Sequence, residues 1–154
     1  MHPDLWRFAE DLYRRPGVET ACLHLQARGN DICLLLCAAW LGRRGVACSA
    51  ARADCLRAIA QPWQREVVSA LRHVRQQWRA AAHHDSALAA LREQVKQLEL
   101  QAEREQLQRL ASGCHAWPGD TSEDVHGWLH SLATVNTAAD RDALHLLHAA
   151  ARQV

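Results

Sequence analysis

A run of ten consecutive apolar residues, at positions 32–41, most constrains the fold of this chain. It is preceded by Asn30 and Asp31, residue types that commonly cap helix N-termini, and followed by Gly42, a type that commonly ends helices. The run is about half the length that a membrane-spanning helix needs. A helix that is apolar on every side must be covered on every side, so the sequence predicts a central helix within a helical bundle.

Cys33 and Cys37 lie within this run, four residues apart, and so share one face of the predicted helix. One interpretation makes them half of a soft-metal or redox site, which would need further ligands such as Cys22, His24 or Cys55. Their immediate neighbours are all apolar, however, and a dry environment raises the pKa of a thiol and makes it unreactive. The sequence favours two space-filling thiols in the core, with no metal and no cofactor.

The whole chain predicts an all-α fold. Alternating β-branched runs are absent, whereas capping residues, glycines and prolines divide the 154 residues into about seven helices. We expect a single-domain helical bundle over residues 1–154. Its parts are a compact body at 1–60, a helical hairpin at 62–111 and two C-terminal helices at 121–153.

Residues 62–82 and 87–111 predict two long helices joined by one short turn, the pattern of an antiparallel hairpin. Pro62 is expected to begin the first helix, because proline is tolerated in a first turn. That helix carries an apolar stripe at helical spacing: Val67, Leu71, Val74 and Trp78. The second carries core positions close to a heptad repeat: Leu88, Leu91, Val95, Leu98, Ala102, Leu107 and Leu110.

Two threonines of the C-terminal part resemble the first residue of a capping box. Thr121 precedes Asp124 by three residues, and Thr137 precedes Asp140 by the same spacing. Each pair is expected to open a short helix. These would span about 122–134 and 138–153.

The first hairpin helix also carries a stripe of four arginines: Arg65, Arg72, Arg75 and Arg79. Arginine at such spacing can bind an acidic protein face or follow phosphates. The alternative is salt bridging within the hairpin, for which the second helix supplies three glutamates: Glu93, Glu99 and Glu103. These matching acids favour salt bridging, while the four arginines remain the candidate partner-binding residues.

Histidine pairs on the C-terminal helices are a further candidate for chemistry. His126 and His130 are four residues apart, and His145 and His148 are three apart, so each pair shares a helical face. Four imidazoles on adjacent helices can in principle form a metal site. The H-E-x-x-H signature is absent because Gly127 stands at the glutamate position, and no nucleophile elbow or phosphate loop occurs. No catalytic residue emerges, so the sequence favours binding over catalysis.

Charge is unevenly distributed along a chain whose formal net charge is +1. Segment 41–79 carries a net +6, which keeps RNA binding open, although the whole chain lacks a nucleic-acid footprint. Segment 120–142 carries a net −4. The N-terminus has no apolar segment of the signal-peptide type, and the six cysteines do not suggest a disulfide framework. We predict a cytoplasmic protein that does not act at a membrane.

The first half of the chain combines several short motifs: L-W-x-F at 5–8, L-Y at 12–13, P-G-V at 16–18, A-C-L-x-L-Q at 21–26, L-L-L at 34–36 and W-L at 40–41. A helix centred on Trp63, an L-R-x-x-R element at 71–75 and a charged helix at 99–108 follow. Together they resemble a family of small, all-helical bacterial proteins of unknown function, over about residues 4–110. An asparagine is usual in that family where Cys33 stands, which argues against a family metal ligand there. The resemblance implies the fold and transfers no catalytic residue.

The sequence favours a non-catalytic interaction or adaptor module that binds a protein partner through the hairpin and its arginines. One alternative is an RNA- or ribosome-associated factor that uses segment 41–79. Another is a metal-dependent enzyme that uses the C-terminal histidines. Self-association is also open, because so long a hairpin exposes apolar surface.

Overall fold

Helices are the only regular secondary structure among residues 3–154, the part of the chain that the computed structural model describes, and the all-α prediction is confirmed. In chain order they are α1 (Pro3–Tyr13), α2 (Val18–Ala27), α3 (Ile32–Arg43), α4 (Ala50–Trp63), a π-helical turn (Gln64–Val68), α5 (Ser69–Gln77), α6 (Arg79–Ala82), α7 (Ser86–Cys114), α8 (Val125–Leu132) and α9 (Ala138–Ala151). Residues 1 and 2 of the predicted domain lie outside the described range. None of the described helices is both long enough and apolar enough to cross a bilayer.

Helix α3 is the centre of the fold, as predicted. Every residue from Cys33 to Gly42 is buried. The neighbours of α3 come from the whole chain, since α1, α2, α4, α7, α8 and α9 all pack against it. The buried side chains of these helices form one hydrophobic cluster.

Gly42, which the sequence indicates as the end of α3, lies inside its last turn. Two other glycines end α2 and α3, because both adopt positive φ, which is strained for other residues. Gly29 has φ 94° and Gly45 has φ 69°. At the end of α3 the Val46 N–H donates to the Leu41 carbonyl at 3.1 Å, and the Gly45 N–H donates to the Gly42 carbonyl at 3.2 Å. This pair of bonds is the Schellman arrangement, which satisfies carbonyls that the helix leaves free.

One predicted capping box is confirmed and the other is wrong. The Asp140 N–H donates to Thr137 Oγ1 at 3.1 Å, and the Thr137 N–H donates to Asp140 Oδ2 at 3.1 Å. Helix α8 instead begins after Asp124, whose own side chain is the cap. Thr121 donates from Oγ1 to the Gly45 carbonyl at 2.7 Å, so it anchors the preceding loop to the end of α3.

Pro62 does not begin a helix, contrary to the prediction. It lies inside α4, which continues through the π-helical turn directly into α5. A proline within a helix removes one backbone donor and its ring clashes with the carbonyl four residues earlier. The wider π-helical turn that follows can absorb this misfit. The first arm of the hairpin is consequently a continuation of a body helix.

Helix α8 lies directly on α3 because Gly42 has no side chain. A Cβ at this position would stand 2.6 Å from the Cα of Val125. Close approach brings Trp128 into the core, where it is fully buried. Its Nε1 donates to the Val46 carbonyl at 2.7 Å, so the indole is both packed and hydrogen-bonded.

Helix α9 is joined to α2 by the fully buried carboxylate of Asp140. Its Oδ1 lies 2.7 Å from His24 Nε2 and 3.3 Å from Arg28 Nε. Its Oδ2 accepts from the backbone N–H groups of Asn136 and Thr137. The Asn136 hydrogen bond, followed by those of His24 and Thr137, outweighs burial and holds the pKa of Asp140 far below its usual value.

Asp140→Asn is expected to lower the denaturation midpoint near neutral pH and to flatten its acid dependence. The depressed folded-state pKa contributes stability above the ordinary aspartate value, about 3.8, and this contribution is lost as the pH falls below that value. Urea midpoints measured between about pH 7 and about pH 2.5 should therefore converge for wild type and variant. Asp142→Asn, at an exposed position of α9, is the control and should keep the wild-type profile. A constant gap at every pH contradicts the assignment.

Candidate interaction surface on the helical hairpin

The hairpin projects from the body as two arms with no third helix over them. α5 and α6 pack mainly against α7, and no residue in segment 69–98 is buried. The first buried residue of α7 is Glu99. The predicted hairpin is confirmed, and its outer part stands clear of the core.

The core positions predicted for α7 are confirmed only where the helix enters the body. Three of them are buried there: Ala102, Leu107 and Leu110. The prediction is wrong for Leu91 and Leu98, which are each 50% exposed. A broad apolar face needs more than one neighbouring helix to cover it, and here only the other arm is present.

Two of the four predicted partner-binding arginines are engaged inside the hairpin. Arg72 Nε lies 3.1 Å from Glu99 Oε2, and Arg72 Nη2 lies 3.0 Å from Glu103 Oε1. Arg75 Nε lies 2.6 Å from Glu99 Oε1. Salt bridging is thus confirmed for Arg72 and Arg75, whereas the third predicted acid, Glu93, accepts a hydrogen bond from Gln97 at 3.2 Å.

Arg65 and Arg79 are the exposed members of the predicted set. Arg65 Nη2 lies 3.5 Å from the carboxylate of its neighbour Glu66, and both side chains are largely in solvent. Arg79 begins the short helix α6 at the outer end of the hairpin. Partner binding by the four arginines stays a prediction. Arg65 and Arg79 are the two whose side chains are accessible to a partner.

The ion pairs fix the two arms relative to each other. Burial by itself raises the pKa of the Glu99 carboxyl, but hydrogen bonds from Arg75 and Arg72 outweigh it and hold this pKa below its usual value. The side chain of Glu99 is only 8% exposed, so its two partners replace most of its hydration. Burial raises the pKa of the Glu103 carboxyl, and the positive charges of Arg72 and Arg75 offset this shift only in part.

Glu99→Gln is expected to lower the free energy of unfolding by roughly 2–3 kcal/mol, because two partly buried guanidinium groups lose their shared carboxylate. Equilibrium urea unfolding measures this loss. Glu105→Gln is the matched control, since the Glu105–Arg109 pair lies on the exposed surface of the same helix. Its effect should stay below about 0.5 kcal/mol, and equal losses in the two variants would contradict the structural role of Glu99.

A cavity of about 460 Å³ lies where the base of the hairpin meets the body. Apolar side chains such as Trp6, Ile32 and Leu107 line one part, and Arg72 and Glu103 line another. This volume is within the range of small-molecule sites. No short motif marks the cavity, because its lining comes from α1, α2, α3, α5, α7 and the π-helical turn.

Cys33 and Cys37 are buried in the core, as predicted. Burial raises the pKa of Cys33 well above its usual value. A hydrogen bond with Cys114, followed by burial, does the same for Cys37. Neither thiol is therefore activated as a nucleophile.

Thiol labelling of the native protein should be fast at Cys55, which is exposed, and slower at Cys33 and Cys37 by on the order of 100-fold or more. Peptide mass mapping after a timed maleimide pulse measures each rate. Cys55→Ser should remove only the fast phase, and unfolding in urea should make all sites react. Rapid native labelling of both core thiols would reopen a metal or redox role.

Three of the four candidate histidines come together between α8 and α9. The rings of His126 and His130 stack with centroids 3.9 Å apart, and the His148 ring is 6.0 Å from His126. Burial, followed by the positive charge of neighbouring groups, lowers the pKa of His148. His145 is exposed on α9. Within residues 3–154, no group of three or more histidine, cysteine or acidic residues is arranged to hold a metal ion.

These features define a class of protein, an all-α bundle with a projecting antiparallel hairpin. Residues 4–110 match the family model described as protein of unknown function, DUF2390. The chain belongs to this family, and the resemblance seen in its short motifs is confirmed. No curated protein and no solved structure matches the chain.

Proposed function

We propose that this protein is a non-catalytic protein-interaction module, in which the projecting hairpin binds another protein chain. One observation carries the proposal: no residue in segment 69–98 is buried, although both arms carry apolar residues at helical spacing. Helices of this length gain most of their stability from packing an apolar face against other elements. The apolar face of each arm is therefore suited to pack against a second protein molecule.

The exposed leucines indicate where that contact occurs. Leu91 and Leu98 lie two turns apart on α7, and each leaves half of its side chain in water. Apolar surface contributes about 25 cal/mol for each Å² removed from water, so a partner that covers both leucines gains affinity from them. Exposed apolar surface rimmed by polar residues is typical of protein-binding sites.

Ion pairing supports the proposal by keeping the surface in one conformation. Arg72 and Arg75 bind Glu99 across the two arms, so the leucines of α7 are presented at a fixed position. A preorganised surface loses less conformational entropy on binding. Arg65 and Arg79, both exposed, are placed to contact acidic groups at the edge of a partner, an effect that chiefly raises the association rate.

The engagement of other basic side chains favours a protein partner over RNA. Arg43 pairs with Glu123, and the guanidinium of Arg44 stacks 4.5 Å from the ring centroid of Trp40. Arg57 contacts the carbonyl of Ser131. Much of the positive charge of segment 41–79 is thus used within the chain, which leaves few groups for phosphate contacts.

Amine crosslinking offers a direct test. Lys96, the only lysine in the sequence, is exposed on the side of α7 away from Leu91 and Leu98, so it stays accessible when a partner covers them. A bifunctional amine reagent with a long spacer reaches around the helix, which is about 10 Å across. Full-length protein is incubated with lysate of its native organism, crosslinked and examined for peptides joined to Lys96. A specific protein chain is expected at this residue. Leu91→Glu/Leu98→Glu should reduce its yield about tenfold or more, because a charge replaces each apolar anchor.

Ala89→Glu is the matched control, since position 89 is exposed and lies on the opposite side of α7 from both leucines. It should crosslink like wild type. Arg65→Ala/Arg79→Ala should lower the yield several-fold at low salt and less at high salt. Circular dichroism checks that each variant is folded. Undiminished crosslinking in the double-leucine variant contradicts the proposal.

A further inference from the structure

Helix α7 carries a second heptad-like seam, about a quarter turn around the helix from the face that contacts the other arm. Its members recur at spacings of four, three, four and three, and all are exposed: Ala87, Leu91, Gln94, Leu98 and Gln101. We call this set the outer seam. Such spacing is that of the a and d positions along which helices pack side by side.

An inner seam accounts for the contact between the two arms. Leu88 and Val95 are half-buried, and Ala102, one heptad later, is buried. A helix of a two-helix hairpin needs only this one seam. A helix with two adjacent seams has the pattern of a four-helix bundle, where each helix packs against two neighbours.

The outer seam contains no charged residue, so two identical seams can meet without repulsion between like charges. Gln94 and Gln101 also suit such a contact, because an amide offers both a donor and an acceptor and can therefore pair with another amide. Arg72 and Arg75, the arginines that bridge the two arms, are paired with Glu99. An acidic partner would find no complementary charge on this seam.

We propose that the outer seam packs against the outer seam of a second copy of this chain, so that two hairpins complete a four-helix bundle. This inference rests on the proposed function and names the partner. The seam spans fourteen residue steps, from Ala87 to Gln101, or about 21 Å of helix. An interface of this length buries an area at the small end of the range for specific protein contacts. The dimer is therefore expected to be weak and to dissociate on dilution.

Sedimentation velocity of the full chain tests the proposal over a series from about 1 to about 100 µM. Wild type should shift from monomer to dimer with concentration. Leu98→Glu should remain monomeric throughout, whereas Ala89→Glu should follow wild type. A wild-type protein that stays monomeric at the highest concentration overturns the proposal, and so does a dimer that Leu98→Glu leaves intact.

Site-specific disulfide formation locates the interface. In a Cys55→Ser background, Gln94→Cys places one thiol in the outer seam of each copy. Oxidised glutathione, which takes up the two electrons and two protons of the paired thiols, should then yield a covalent dimer. Lys96→Cys, on the opposite side of α7, should yield no more than the background chain. Equal yields of covalent dimer from Gln94→Cys and Lys96→Cys would contradict packing along the outer seam.

The experiments distinguish failure of the second-copy inference from failure of the proposed interaction function. If the wild-type chain is monomeric while Lys96 crosslinks to a different protein, the second-copy inference is overturned and the interaction module stands. If neither self-association nor crosslinking to another chain occurs, both are overturned.

Discussion

Complete burial of α3 is the constraint on which the rest of the structure depends. A helix with apolar side chains on every face cannot be covered by its sequence neighbours alone, so segments from both ends of the chain must reach it. α8 does so by approaching Gly42 so closely that no larger residue fits without displacement. The family match ends at residue 110, yet Trp128 and Leu144 beyond it belong to the same core as α3. The two C-terminal helices therefore belong to the same hydrophobic core as the part of the chain that matches the family.

Polar groups at the start of α3 determine where the covering segments attach. Asn30 is almost fully buried; its Nδ2 donates to the Thr134 carbonyl at 3.1 Å and its Oδ1 accepts from the Thr134 N–H at 2.8 Å. Asp31 caps α3 and also accepts from Gln106 Nε2 at 2.6 Å. Apolar contact is non-directional, whereas these bonds have one geometry and so select one arrangement of the helices around the core. The two neighbouring residues therefore connect α3 to the α8–α9 loop and to α7.

Features with a local physical cause could be predicted from the sequence, and features set by distant contacts could not. Gly45 ends α3 because of its own backbone freedom, and the Thr137 cap needs only three further residues. Pro62 is of the type that commonly occupies a first helical turn, but the following π-helical turn lets this helix continue. The exposure of Leu91 could not be foreseen, since a heptad pattern indicates that a residue needs a neighbour without saying which chain supplies it. The contact between Asp140 and α2 joins residues more than one hundred positions apart and has no local signal.

The continuity of α7 has a mechanical consequence. It is a single helix of 29 residues, about 43 Å long, with its first half outside the core and its second half inside. An α-helix of a few turns bends little without a proline or an inserted residue, so a force on the outer half is transmitted to the inner half as a change of tilt. Residues of α7 at the point of emergence, among them Leu100 and Glu103, line the 460 Å³ cavity. Docking along the outer seam would therefore act on this cavity directly, because Gln101, the last residue of the seam, is part of its lining.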